Sequence, residues 1–170
     1  MQGCEYINPD NIARDQFGDW NSLDAVLKAA NLAAELRESC LRQGADLAFE
    51  TVLSSPDKVH FVLRAAQAGF FVRLFFVGTR DATINAARIA RRVMEGGHEV
   101  PIGKIISRYG KSIANCAQLA SVVDRHYVYD NSVDNVSPQR CFRASEGALN
   151  TRYQPAPDWA RPIFERVDAA

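Results

Sequence analysis

The run Phe70-Phe71-Val72-Arg73-Leu74-Phe75-Phe76-Val77-Gly78-Thr79 is the most apolar stretch of the chain, and it restricts what the remainder can build. A run this short, rich in aromatic and β-branched residues, reads as a strand buried on both faces, the kind found in parallel sheets. A helical segment with Arg88, Arg91 and Arg92 follows, ending at Glu95-Gly96-Gly97-His98-Glu99-Val100-Pro101. A basic helix just past the carboxyl end of such a strand stands where α/β proteins bind anions. The pairing points to a phosphate-handling α/β domain.

The neighbouring segments fit that class. Met1 to Tyr6 hold a strand remnant, and Ile7-Asn8-Pro9-Asp10-Asn11 reads as a strand end turning into a loop, with a short helix over Asn11 to Asp15. Asp19-Trp20-Asn21-Ser22 is a capping region with Ser22 as N-cap, and an apolar stripe from Leu23 to Leu41 predicts a helix ending near Gln43-Gly44. Asp46 to Leu53 reads as a strand with Glu50 near its carboxyl end. Ser55-Pro56 starts a helix that Gly69 closes. Asp81 or Thr83 caps the arginine helix, and Gly96-Gly97 stops it. Pro101 starts another helix that Gly110 interrupts, with a further one from Lys111 to Val123. His126 to Tyr129 is a last short strand delivering Asp130-Asn131-Ser132, and Gln139 to Ala144 reads as an edge strand. The tail, with Pro155, Pro157 and Pro162, reads as irregular. Alternating strands and helices at these spacings argue for βαβ units and a parallel sheet.

Charge and cysteine content narrow the function classes. Lys and Arg balance Asp and Glu at 20 each, so nothing favours a chain-wide polyanion surface, and a nucleic-acid partner is not expected; a local basic cluster stays open. No apolar run approaches a membrane span, and no signal-peptide pattern opens the chain, so a cytoplasmic protein with no membrane partner is expected. Cys4, Cys40, Cys116 and Cys141 form no CxxC, and with three scattered histidines they make no metal site. His60 and His126 read as surface or strand-end residues.

Three polar groups fall where βα loops gather at the carboxyl edge of a parallel sheet: Asp10, Glu50 and Asp130-Asn131. A carboxylate there can take a proton from a hydroxyl or help hold Mg²⁺. Arg88 and Arg92, four apart, share one helical face, and Lys104, Arg108 and Lys111 follow. Phosphoryl transfer needs positioning, a base and cations, and this inventory supplies them without a phosphate cradle. Simpler readings stand beside it: Asp10 as a turn or cap residue, Glu50 as a buried carboxylate in a salt bridge, and the arginine helix as a solvated basic face.

The order of these motifs resembles the zeta-toxin family of P-loop kinases. The segments are Ile7-Asn8-Pro9-Asp10, Phe49-Glu50-Thr51-Val52-Leu53-Ser54-Ser55, Arg88-x-x-x-Arg92-Val93-x-x-Gly96-Gly97-His98-x-Val100-Pro101, and Tyr129-Asp130-Asn131-Ser132. The resemblance covers roughly residues 4 to 143. It implies an ATP-dependent, Mg²⁺-assisted kinase acting on a sugar-nucleotide hydroxyl, with UDP-N-acetylglucosamine as substrate and an antitoxin protein as partner. It implies further that Asp10 is the general base and that Glu50 and Thr51 bind substrate, with Glu50 also ordering the Mg²⁺ site. Arg92, with Arg88 and Arg108, would contact ATP phosphates from a lid.

One departure is large. Family members open with a strand and a Gly-rich P-loop ending in Lys-Ser/Thr, yet no GxxxxGK[ST] occurs in these 170 residues. The expected fold is therefore a P-loop-kinase-like parallel sheet flanked by helices and missing the first strand and P-loop. A kinase domain over 1–145 would precede a proline-containing tail over 146–170. Two origins are expected to explain this. One is a fragment or misplaced start with the P-loop encoded upstream of Met1. The other is a truncated homologue acting as a binding module or persisting as an inert relic.

Overall fold

Two parallel ladders carry the α/β character of the chain, one in each half. In the computed structural model, residues 3–18, 22–95 and 100–168 are described. The chain divides into two units, 1–51 and 52–170. The readings for Asp19-Trp20-Asn21, Gly96-Gly97 and His98 fall outside the described residues.

In the first unit, β1 (Glu5–Ile7) and β2 (Leu47–Phe49) pair in parallel, with Ile7 opposite Phe49. Between them run α1 (Pro9–Gln16) and α2 (Leu23–Gln43). Asn8 caps α1 by accepting from the N–H groups of Asp10 and Asn11, and Pro9 takes the first helical position. The segment expected to be a loop is therefore the first turn of a helix, because an Asn cap followed by proline pre-sets it. Ser22 caps α2 by accepting from Ala25 N–H, and Gly44 ends it in the left-handed conformation at φ 67°, as the sequence indicated. Ala25, Ala29, Ala33, Arg37 and Cys40 form its buried stripe. Ala33 and Cys40 pack with Ile7, Leu36, Leu47 and Phe49. Glu50 lies just past a strand shorter than expected and is exposed, so the expected cost of burying its charge does not arise.

The second unit holds α3 (Pro56–Gln67), β3 (Arg73–Gly78), α4 (Ala82–Met94), α5 (Ile102–Leu119) and β4 (Arg125–Asp130). After these come β5 (Gln139–Ser145), β6 (Ala148–Arg152), a 3-10 turn (Asp158–Ala160) and α6 (Arg161–Asp168). The sheet order is β3-β4-β5-β6, parallel between β3 and β4 and antiparallel after that. Four readings change. β3 starts at Arg73 and is not buried on both faces, since Phe75 and Val77 are 58% and 52% exposed. α5 runs unbroken through Gly110, since a single helical glycine costs only about 1 kcal/mol against the buried contacts of Ile105, Ser112, Cys116 and Leu119. β5 is an interior strand, and β6 is the edge. The tail is ordered: Trp159, Ala160, Ile163 and Val167 are buried, and Pro162 sits in the first turn of α6, where its missing N–H is tolerated.

One face of this sheet is covered. Phe142 meets Phe164 of α6 edge-on at 5.3 Å, Phe76 meets Trp159, and Cys116 of α5 lies 3.2 Å from His126 Nε2. α5 also holds the entry to the unit: Ser112 donates to the Val52 carbonyl, and Asn115 Nδ2 donates to that of Leu53 at 2.8 Å. Those bonds fix Leu53 at φ 56°, a conformation unusual for a residue with a side chain.

His126, expected at the surface, is 1% exposed, and its Nδ1 has no hydrogen-bond partner among the described residues. Its place in β4 on the same face as Val128 puts it under α5. Burial pushes its pKa down to about 4. The unfolded chain therefore takes up a proton between pH 6.5 and 4 that the folded chain refuses. Stability from this group is complete above 6.5 and falls as the pH drops through that window, by on the order of 3 kcal/mol. Thermal melts at stepped pH should show this loss, and His126→Leu should flatten the difference between pH 7 and 4.5. An unchanged slope in the variant would assign the loss to other groups.

Candidate active site

The carboxyl end of the β3–β4 ladder is closed by a compact polar network. Gly78 pairs with Asp130 in register, and the N–H of Asn131 continues the ladder to the Gly78 carbonyl at 2.8 Å. The Asp130 carboxylate accepts from Ser132 N–H at 2.7 Å through one oxygen and from Trp159 Nε1 at 3.1 Å through the other. Ser132 Oγ accepts from Arg80 N–H at 2.8 Å. Asp81 caps α4 by accepting from Thr83 N–H, and Tyr109 donates to the Thr79 carbonyl at 2.8 Å. Burial, aided by the charges of Asp81 and Asp130, pushes the Tyr109 phenol up, so it stays a donor.

A cavity of about 720 Å³ lies here, lined among others by Arg80, Asn131, Ser132, Gln139, Gln154 and Trp159. An indole, three amides, a hydroxyl and a guanidinium can together receive a flat ring with hydrogen-bonding edges beside a negative charge. The indole seats against Gly78, where any Cβ would collide with the ring.

The basic helix is anchored in the following loop. Arg88 and Arg91, three apart on α4, both donate to Asp134, Arg88 at 2.8 and 2.9 Å and Arg91 at 3.0 Å. The bonds from Arg88 and then Arg91 hold the Asp134 carboxyl below its ordinary range. Arg88 thus pairs with Arg91 around one carboxylate, whereas Arg92 is exposed and has no ion pair among the described residues. Arg108 on α5 is exposed as well.

In the first unit the register Ile7↔Phe49 sends the chain out of β1 and β2 at the same carboxyl edge. Asp10 leaves that edge in the first turn of α1, and Glu50 and Thr51 leave it directly. All three are exposed. The expected residues thus fall in two groups, Asp10 with Glu50 and Thr51 in one unit, and Arg88, Arg92 and Arg108 in the other. Sequence reasoning missed Trp159, Asp134 and Tyr109. Trp159 was hidden by the surrounding prolines, and Asp134 could have been found as the acidic residue that follows Asp130-Asn131-Ser132 by two.

Among the described residues, no group of three or more His, Cys, Asp or Glu side chains converges to hold a metal, and no helix is long and apolar enough to cross a membrane. Gly78→Ala should displace Trp159 and destabilise the unit by about 1–3 kcal/mol, the usual cost of overpacking. A thermal melt checks this, and an unchanged midpoint would show that the indole can move aside freely.

The family model for zeta toxin matches residues 13–137, a stretch that takes in Glu50, Thr51, Arg88, Arg92, Arg108 and Asp130 and begins three residues after Asp10. An uncharacterized protein of Haemophilus influenzae (strain ATCC 51907 / DSM 11121 / KW20 / Rd) is 31% identical over 103 residues, 61% of this chain and 73% of that protein. No solved structure matches. With the family match spanning most of its length and a kinase-like α/β arrangement of parallel strands flanked by helices, the chain belongs to the zeta toxin family.

Proposed function

We propose that this chain carries the acceptor-binding and lid residues of a phosphoryl-transfer enzyme that acts on a sugar-nucleotide hydroxyl, with UDP-N-acetylglucosamine as the acceptor. What supports this reading is the parallel register Ile7↔Phe49, which delivers Asp10 and Glu50 from one sheet edge. On this reading Asp10 takes the hydroxyl proton, and Glu50 and Thr51 hold the sugar nucleotide. Arg92 and Arg108 meet the phosphates of ATP, while Arg88 positions the basic helix through Asp134. The cavity beside Trp159 receives a nucleotide ring. An antitoxin protein is the expected partner.

The residues present do not make a triphosphate and Mg²⁺ cradle. No GxxxxGK[ST] occurs among the 170 residues, and the described residues hold no converging metal-ligand group. No step through Mg²⁺ is therefore assigned to them. By themselves these 170 residues are expected to recognise the sugar nucleotide and not to transfer phosphate, which favours the binding-module form of the reading.

Calorimetry on the purified chain tests this. UDP-N-acetylglucosamine should bind, and Glu50→Gln should weaken it about tenfold, the loss of one charge-assisted hydrogen bond. Asp10→Asn should leave binding within about twofold, because a base acts on the proton and not on ground-state affinity. Tight binding of Mg-ATP would overturn the non-catalytic form, and absence of binding to either ligand would overturn the binding form.

A further inference from the structure

The loop between β2 and α3 carries a backbone outlier. Leu53 adopts φ 56° while its side chain is only 3% exposed. A left-handed residue with a Cβ is sterically unfavourable, and glycine serves wherever only that turn is needed. Leucine meets two demands here: the backbone turns, and the buried side chain anchors the turn. Outliers of this kind persist where the surroundings over-determine them, and they gather at ligand clamps and catalytic loops.

Two side chains of α5 hold this turn. Ser112 Oγ donates to the Val52 carbonyl, and Asn115 Nδ2 donates to the Leu53 carbonyl at 2.8 Å. Successive peptide groups of an extended chain face opposite ways, so one helix reaches both carbonyls because the chain turns at Leu53. About one turn earlier on α5, Tyr109 donates to the Thr79 carbonyl at 2.8 Å. Spaced by three, these side chains share one side of the helix and grip the chain after β2 and after β3. The buried apolar contacts of α5 come from Ile105, Cys116, Ala117 and Leu119, so the polar stripe is an addition to its packing.

Glu50 and Thr51 immediately precede the two held carbonyls, and both are exposed. A few backbone bonds separate them from a fixed point, which limits where their side chains can go. We propose that Ser112 and Asn115 are positioning residues for the acceptor. They fix the backbone at Val52 and Leu53 and so set how Glu50 and Thr51 present themselves to a sugar nucleotide. Neither touches the substrate, and the inference rests on the acceptor reading of Glu50 and Thr51 and deepens it.

Calorimetry of the purified chain with UDP-N-acetylglucosamine tests the proposal, each variant being measured well below its own melting midpoint. Asn115→Ala and Ser112→Ala should each weaken binding about fivefold, the loss of one hydrogen bond. In a Glu50→Gln chain, Asn115→Ala should add less than about twofold, because it acts through the placement of that carboxylate. Gln118→Ala, exposed on the same helix, should change nothing. Amide spectra of the free chain give a readout without ligand: Asn115→Ala should move the Glu50 and Thr51 signals, and Gln118→Ala should not. Unmoved signals, an equal loss with Gln118→Ala, or binding within about twofold in both α5 variants would overturn the inference and leave the acceptor reading standing. A full additive loss on top of Glu50→Gln would do the same. No binding by the unaltered chain would overturn the acceptor reading, and the inference with it.

Discussion

The Asp130 carboxylate is the interaction on which the second unit's functional end depends. One oxygen turns the chain after β4 by accepting from Ser132, and the other takes the indole N–H of Trp159. Through Ser132 the same network reaches Arg80 at the start of the α4 segment. A single side chain therefore joins the last parallel strand, the loop that receives the basic helix, and the C-terminal segment. Losing it would release three parts of the cavity wall together and leave the indole N–H of the buried Trp159 without this acceptor.

The same loop explains why the basic helix is a positioned element and not only a solvated one. Two guanidiniums on one carboxylate restrict the orientation of α4 about its axis. Individually such exposed pairs contribute little to stability. Their effect is geometric, because Arg88 and Arg91 are committed while Arg92 stays available.

Much of this was legible in the sequence, and the failures have physical causes. Ser22 and Gly44 bounded α2 correctly because both ends rest on local chemistry, a hydroxyl cap and a left-handed glycine. Asp81 and Pro56 marked α4 and α3 for the same kind of reason. Gly110 misled because a local propensity was set against tertiary burial on both sides of it. Aromatic content made β3 look buried on both faces, although only its even-numbered positions are covered. Ala148-Leu149-Asn150-Thr151-Arg152 has little intrinsic strand character and is a strand because β5 offers it a partner. Asp10, Glu50 and Arg92 could be named as candidates from motif order. Trp159 could not, since its role comes from a contact with Gly78 that is distant along the chain.

The register shift between Val128 and Tyr129 leaves Cys141 of β5 without a partner in β4 and with its side chain buried. Arg140 and Arg143 are three residues apart, an odd spacing that would place them on opposite faces of a regular strand. The inserted residue cancels that parity and turns both guanidiniums the same way. Sequence comparison in this region should therefore count positions from the bulge and not from the strand end. A relative that keeps the three-residue spacing but pairs this strand without the bulge would have the same composition and yet present one of the two charges to the helix-covered side.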